Sequence, residues 1–387
     1  MPDLLTKLRM LDAVPKKPAP TASSPTGGCY HKQAVFPLTT FCDRRHATPE
    51  TLVSAFGCPF PPRVAPEDLL FLDTETTGLS GGAGTLAFEV GLGYFTQSGF
   101  VVEQLLMHDY PEEPELLRIL ASRMRRFTVL CTFNGRTFDV PLLRSRFLMN
   151  RMPDDCLPAT HADVLHPARR LWKLRLKQCT LSRLEEQLLG VVREDDLPGA
   201  LVPQTYFQYL KDRDFAPLER ILEHNRQDVV SLAQLFYFLL KQVNKPEEIT
   251  QGEDLLSLAR TMEKRGDLQK AAKCYRLCAR GDTRAQAFLA LAATQKRQGN
   301  ADAAFKLYQA MANRGDEPIF AYEALAKLCE HQRRDLEQAL SYTRQALLLL
   351  SEPSLFRTEA VQQQQLALQY RYMRLRRKLA QAQINTL

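Results

Sequence analysis

The chain has 387 residues, with 51 Lys and Arg against 44 Asp and Glu, a net charge of +7 and nine cysteines. That length predicts more than one core, and no apolar run approaches the roughly 18 residues that a membrane-spanning helix requires. The odd cysteine count, and charges at Asp3, Lys7, Arg9 and Asp12 that interrupt any leader-like apolar core, predict a reduced cytoplasmic protein without a secretion signal or membrane partner.

Residues 1–28 read as a flexible N-terminal segment: a short amphipathic stretch followed by VPKKPAPTASSPTGG. Residues 29–67, ending in PFPPRVAPED, read as an irregular segment wrapped on the domain that begins at 68. Cys29, His31, Cys42 and His46 lie within it at spacings too irregular for a zinc site. From residue 68 the pattern turns α/β. LLFLDTET, TLAFEVGLGYF and FVVEQLLMHDY predict three strands separated by Gly or Ser turns. PEEPELLRILASRMRRF predicts a helix with acids early and bases late, as the macrodipole prefers. TVLCTFNG predicts a fourth strand, and TFDVPLLRSRFLMN a helix that tolerates Pro141 only in its first turn. THADVLH predicts a fifth strand and LERILEHNRQDVVSLAQLFYFLLKQ the last long helix of this region.

NKPEEITQGE at 244–253 marks a second boundary, and an internal repeat lies beyond it. Leu258-Ala259, Gly266, Ala271 and Tyr275 recur 33 residues later as Leu291-Ala292, Gly299, Ala304 and Tyr308. A looser third copy holds Leu325-Ala326 and Ala339. This period resembles the tetratricopeptide repeat, in which each helical hairpin covers its neighbour's apolar face. Arg371, Arg374, Arg376, Arg377 and Lys378 give the final segment the look of a capping helix with a basic surface. Residues 252–387 hold 22 Lys and Arg against 14 Asp and Glu, while the remainder is near balance at 29 against 30. The positive field therefore belongs to the repeats, which suits a polyanion. The repeats also offer a groove for a protein partner.

Four carboxylates stand in segments that make sense of them: Asp73 and Glu75 in FLDTETTG, Asp139 closing TFNGRTFD, and Asp228 in HNRQDVVSL. Strand alternation puts Asp73 and Glu75 on one face. Four acids brought together repel one another unless divalent cations stand among them, and oxygen-only ligands suit Mg²⁺ or Mn²⁺. Two such ions about 3.5–4 Å apart cut phosphodiesters by in-line attack of water. His224 and Asp228, four apart, share a helix face, and a neutral imidazole suits a general base near neutral pH.

The order D-x-E, N-x3-F-D and a late acidic helix resembles the DEDD 3′–5′ exonucleases of the ribonuclease H-like fold. LDTETTGLSGG, TFNGRTFDVPLLRSRF, HADVLHPARRLW and HNRQDVVSL are similar, in form and order, to the YprB-type ribonuclease H-like domain proteins over about residues 68–240. The resemblance implies a mixed five-stranded sheet flanked by helices over 68–243, followed by an all-α tetratricopeptide-like domain over 253–387. It implies Asp73, Glu75, Asp139 and Asp228 as ligands of two Mg²⁺ or Mn²⁺ ions, with Asp73 between both. His224 would orient or deprotonate the attacking water. Thr76, Thr77, Gly78 and Leu79 would meet the terminal nucleotide, with Asn134 and Asp163 supporting the substrate. Asn134 beside Gly135 also reads as a plain turn residue. The sequence departs from the pattern in one place: His224 stands four residues before Asp228, where the two common forms carry His at five or Tyr at four. The implied activity is hydrolysis at the 3′ end of single-stranded nucleic acid, DNA or RNA. A repeat-based interaction protein that binds nucleic acid without cutting it, and an endonuclease on the same fold, are the competing readings.

Overall fold

The computed structural model describes residues 28–78, 84–193, 197–279, 281–351 and 359–384. It divides into two compact units, one of residues up to 169 together with 176–244, the other of 170–175 together with 245 onward. Except for Gly28, the N-terminal segment 1–28 lies outside the described residues. Among the described residues no helix is long and apolar enough to cross a membrane.

The first unit is built on one sheet of β1 (Tyr30–Phe36), β2 (Leu69–Thr76), β3 (Ala87–Phe95), β4 (Phe100–Leu106), β5 (Val129–Thr132) and β6 (Thr160–Asp163). The spatial order is β1-β4-β3-β2-β5-β6. β1 to β4, β4 to β3 and β3 to β2 pair antiparallel, and β2 to β5 and β5 to β6 parallel. The mixed sheet is the expected one with an additional strand. Its helices are α1 (Pro49–Phe56), α2 (Glu113–Met124), α3 (Asp139–Met149), α4 (Leu165–Leu176), α5 (Val202–Asp212) and α6 (Ala216–Asn244).

The additional strand corrects the expectation of irregular chain over 29–67. In β1 the sequence YHKQAVF alternates half-buried and exposed positions along a sheet edge, so it shows no apolar run. α1 follows in the same stretch. It starts at Thr48, whose hydroxyl accepts from the Thr51 N–H, carries Pro49 in its first turn and stops at Gly57, where φ is 74°.

Strand alternation gives the sheet two different faces. Leu70, Leu72, Val90, Leu92 and Leu105 meet Leu116, Leu117 and Leu120 of α2 and Leu142, Leu143 and Phe147 of α3. Tyr206 of α5 stacks on Phe88 with ring centroids 3.9 Å apart. The opposite face carries Phe71, Phe95 and Phe100, which pack with Phe236 and Tyr237 of α6. Further along it lie Asp73, Glu75 and their antiparallel neighbours Gly91 and Glu89. Gly91 and Gly93 let α6 close onto β3. A Cβ on Gly91 would stand 2.8 Å from Asn225 Cγ and 2.9 Å from Val229 Cγ2. Glycine inside a strand marks such an approach.

The second unit is helical: α7 (Gly252–Lys264), α8 (Leu268–Cys278), α9 (Arg284–Arg297), α10 (Ala301–Arg314), α11 (Pro318–Leu328), α12 (Leu336–Ser351) and α13 (Glu359–Ile384), each packed on the next. The recurring small residues Ala259, Ala271, Ala292, Ala304, Ala326 and Ala339 are all buried at 0% exposure, which is where helices cross. The recurring glycines take the left-handed turn, with φ 83° at Gly266 and 82° at Gly299. In the third copy Ala326 and Ala339 are one residue further apart than the earlier pairs. The additional residue is absorbed by a π-turn over Cys329–Arg333, after which Arg334 takes the glycine's place at φ 56°.

The basic surface expected on α13 needs correction. Glu330, 1% exposed in that π-turn, receives Arg371 at 2.6 Å, Arg374 at 2.6 Å and Lys378 at 2.9 Å. These three cations fasten α13 to the repeats, and of the five expected on its surface Arg376 and Arg377 are exposed. Burial pushes the Glu330 carboxyl up, but Lys378 and Arg374 outweigh it and hold it below its ordinary range.

Glu330→Gln is expected to cost about 1–2 kcal/mol by taking the shared acceptor from three partly exposed cations. Because the folded carboxyl titrates below the unfolded one, its contribution is present above the unfolded value and lost as pH falls through the folded value. Urea melts of the variant and wild type at pH 7 should therefore differ more than at pH 3. Gly91→Ala is expected to cost about 1–3 kcal/mol by overpacking against α6, measured by the same melts.

Candidate active site

β2 delivers Asp73 and Glu75 to one face, and α6 lies across that face with His224, Asn225 and Asp228 turned toward them. Asn225 Nδ2 donates to Asp73 Oδ2 at 3.0 Å. His224 Nε2 stands 4.0 Å from Glu75 Oε1 and 3.6 Å from Asp228 Oδ2. Asp73, Glu75, His224 and Asp228 are thus brought together.

Asp139 arrives from the other side of the strand. It opens α3, and its Oδ1 accepts from the Thr74 hydroxyl at 2.5 Å. Thr74 alternates with Asp73 and Glu75, so this acid touches β2 through the residue that faces away from them. It remains near enough for its charge to act on Asp73.

Crowding shows in the acids' proton affinities. Withdrawal from water, then Asp228, Glu75 and Asp139, push the Asp73 carboxyl well above its ordinary value, with the Asn225 hydrogen bond opposing them. Burial raises Asp139 to about 6 against the pull of Thr74. Asp228 is also raised by burial, although Arg193 and His224 draw it down.

Several contributors carry no motif signal. Glu89, directly across from Glu75 and 0% exposed, is pushed by burial to about 8. Its Oε1 accepts from Gln104 Nε2 at 2.8 Å, and the same amide donates to the Leu222 carbonyl at 2.7 Å. A polar seam from Glu89 through Gln104 and Asn225 to Asp73 therefore joins sheet to helix. Arg193 pairs with Asp228 and, in a two-pronged bridge at 2.6 and 2.8 Å, with Glu185. The GLG in β3 was the available sign of a close helix, and an acid inside the apolar run LAFEVGLG was the sign of Glu89. Nothing local marked Arg193.

The residues assigned to substrate have mixed placements. The Thr76 hydroxyl donates to the Gly78 carbonyl at 2.8 Å, and Thr77 Oγ1 accepts from the Leu86 N–H at 3.0 Å. Among the described residues, Gly78 has Thr85 Oγ1 at 3.5 Å near the place of a Cβ. Leu79 lies outside the described residues. Asn134 holds a left-handed turn at φ 69°, and its Oδ1 accepts from the Thr137 hydroxyl at 2.8 Å. Asp163 is 3% exposed and its oxygens accept from the N–H groups of Asn134, Arg136 and Leu165. That is the position of a loop anchor for the turn into α3.

The donor set is all oxygen, negatively crowded, and already holds one cationic side chain on Asp228, which fits a divalent ion in chemistry and charge. Among the described residues no three of these groups are disposed about one point as finished ligands.

Asp139→Asn tests the crowding. An acid whose folded value is raised to about 6 binds its proton more tightly folded than unfolded, so its ionisation costs stability as pH rises through that window. In chelator, the variant should melt above wild type at pH 8 and level with it near pH 4. An equal gap at both pH values would contradict the assignment.

Residues 70–240 match the RNase H superfamily. The uncharacterized protein YprB of Bacillus subtilis (strain 168) is 37% identical over 179 residues, which is 46% of this chain and 43% of that protein. The chain therefore spans less than half the length of the curated relative it matches. A family B DNA polymerase from the hyperthermophilic archaeon Pyrobaculum calidifontis is 15% identical, with 52% of this chain and 29% of the polymerase covered at a TM-score of 0.38. That likeness is too slight to bear on function. With the mixed sheet and the acids at the end of β2, the match over 70–240 fits a ribonuclease H-like fold for the first unit, similar in sequence to YprB.

Proposed function

We propose that the first unit is a metal-dependent 3′–5′ exonuclease acting on single-stranded nucleic acid. The observation that carries this reading is the meeting of Asp73, Glu75, His224 and Asp228 where β2 ends beneath α6. Asp73, Glu75 and Asp228 would hold Mg²⁺ or Mn²⁺, two ions per site, with Asp139 completing the set. Bound there, such ions supply Lewis-acid stabilisation of the phosphoryl oxygens and a water of lowered pKa. His224 Nε2, facing Glu75 and Asp228, holds the water and takes its proton. Asn225 orients Asp73, and Asp163 fixes the turn that carries Asn134 and the start of α3. The terminal nucleotide is assigned to the segment from Thr76 to Leu79, where the hydroxyls of Thr76 and Thr77 are already engaged within the chain.

The second unit is read as a tetratricopeptide-like array, supported by its 33-residue period and its buried alanines. The odd cysteine count supports a cytoplasmic setting.

Purified protein with Mn²⁺ is expected to shorten a 5′-labelled strand from an open 3′ end and to spare one with a blocked 3′ end. Asp73→Ala and Asp228→Asn should each lower the rate about 10³-fold or more, the scale of losing several kcal/mol at the transition state. Internal cuts in the blocked strand would replace the exonuclease by an endonuclease. Undiminished activity in both variants would end the metal-site reading.

A further inference from the structure

Arg193 is the one cation bonded to Asp228 among the described contacts, and its surroundings are those of a built seat. Its side chain is 12% exposed. Glu185, 1% exposed, grips it at Nε by 2.8 Å and at Nη2 by 2.6 Å. Glu185 heads a π-turn over Glu185–Leu189 that closes at Gly190 with φ 68°. Such turns are an insertion into helical chain that recurs at functional sites. The guanidinium then reaches past Glu185 to Asp228, and its Nη1 lies 3.3 Å from His224 Nδ1. Burial works against the charge, but Glu185 and Asp228 keep Arg193 cationic.

We propose that Arg193 is a built-in substitute for the divalent ion, which it must give up at Asp228 before an ion can bind there. This rests on the metal-dependent reading of the same site and adds to it a residue that sets how tightly the site takes metal. Two consequences of the geometry support it. An arginine can only donate, so the seated guanidinium occupies the Asp228 carboxylate where an ion would stand while it lies against the His224 ring. Second, Glu185 remains a two-pronged partner when Asp228 is released, so the exchange leaves no buried cation unpaired. A single-partnered arginine would have no such exit. Glu185 is thus the hinge of the exchange and Asp228 its contested group.

The test is Mn²⁺ uptake by the full chain, freed of metal by chelator, followed by calorimetry and by the Mn²⁺ spin-resonance signal. Removing the competing charge in Arg193→Gln should tighten binding about tenfold, and Arg193→Lys should fall between it and wild type. Metal-free Arg193→Gln should melt lower than wild type, yet gain more on Mn²⁺ addition. A residue that merely braces the ligands would weaken binding when removed. Unchanged or weakened uptake in Arg193→Gln therefore overturns the proposal. If that variant does not fold, Arg193→Lys decides in the same direction. Asp228→Asn, which removes the contested acid, should bind weakly with either residue at 193. Wild type that takes up no Mn²⁺ defeats the metal-dependent function itself. Wild type that binds while Arg193→Gln binds equally defeats only the role of Arg193.

Discussion

Like charges held at short range govern the first unit. Asp73, Glu75 and Asp228 converge at the end of β2, and Asp139 is close enough to add its field. Water would screen them on an open surface, but here the cover of α6 withdraws it. The structure answers the repulsion in three ways: an amide on Asp73, a hydroxyl on Asp139 and a guanidinium on Asp228. Each answer is partial. Under the metal-dependent reading proposed above, the charge that these answers leave over is what a divalent ion would meet.

The approach of α6 makes the cluster possible. Two glycines in β3 remove the side chains that would hold the helix away, and Gln104 fills the gap with an amide that binds sheet carboxyl and helix carbonyl together. Asn225 and Asp228 are thereby set by backbone packing, with no freedom to drift on a loop. The same economy recurs in the second unit, where a π-turn presents a buried glutamate to basic side chains. There the pairing fixes one helix to its neighbours, whereas Glu185 in the first unit shares its arginine with the acid site.

Much of the fold was legible because strand alternation, glycine turns and cap residues are local signals. TETTG, FNGRTFD and HNRQD each lie where their flanking apolar runs place them, on β2, before α3 and on α6. β1 was illegible because an edge strand needs only half its residues buried, and HKQ conceals that alternation. α1 did carry its marks, Thr48-Pro49 before it and Gly57 after it, inside a proline-rich stretch that masks them. The basic reading of α13 needed its correction at Arg371, Arg374 and Lys378 for a different reason. Composition counts charges but cannot tell that Glu330 is buried among three of them. Arg193 belongs to the same class, since its meaning depends on Glu185 and Asp228 across different elements. Asp163 is intermediate: its sequence neighbourhood marked an acid of note, and only its three backbone donors reveal that it shapes a turn.

α6 runs unbroken over Ala216–Asn244, with Asp228 near its middle and Phe236 and Tyr237 seated among sheet aromatics further on. It is a lever. Asp228 and Phe236 are separated by about 12 Å along the axis at 1.5 Å per residue, so a tilt of about 5° about the aromatic fulcrum carries the carboxylate through about 1 Å. Misplacements of that size are enough to cost about a hundredfold in a hydrolytic site. The packing of Phe41, Phe71, Phe95 and Phe100 beneath this part of α6 therefore joins the Gly91 contact in fixing the aim of the acid along the rod.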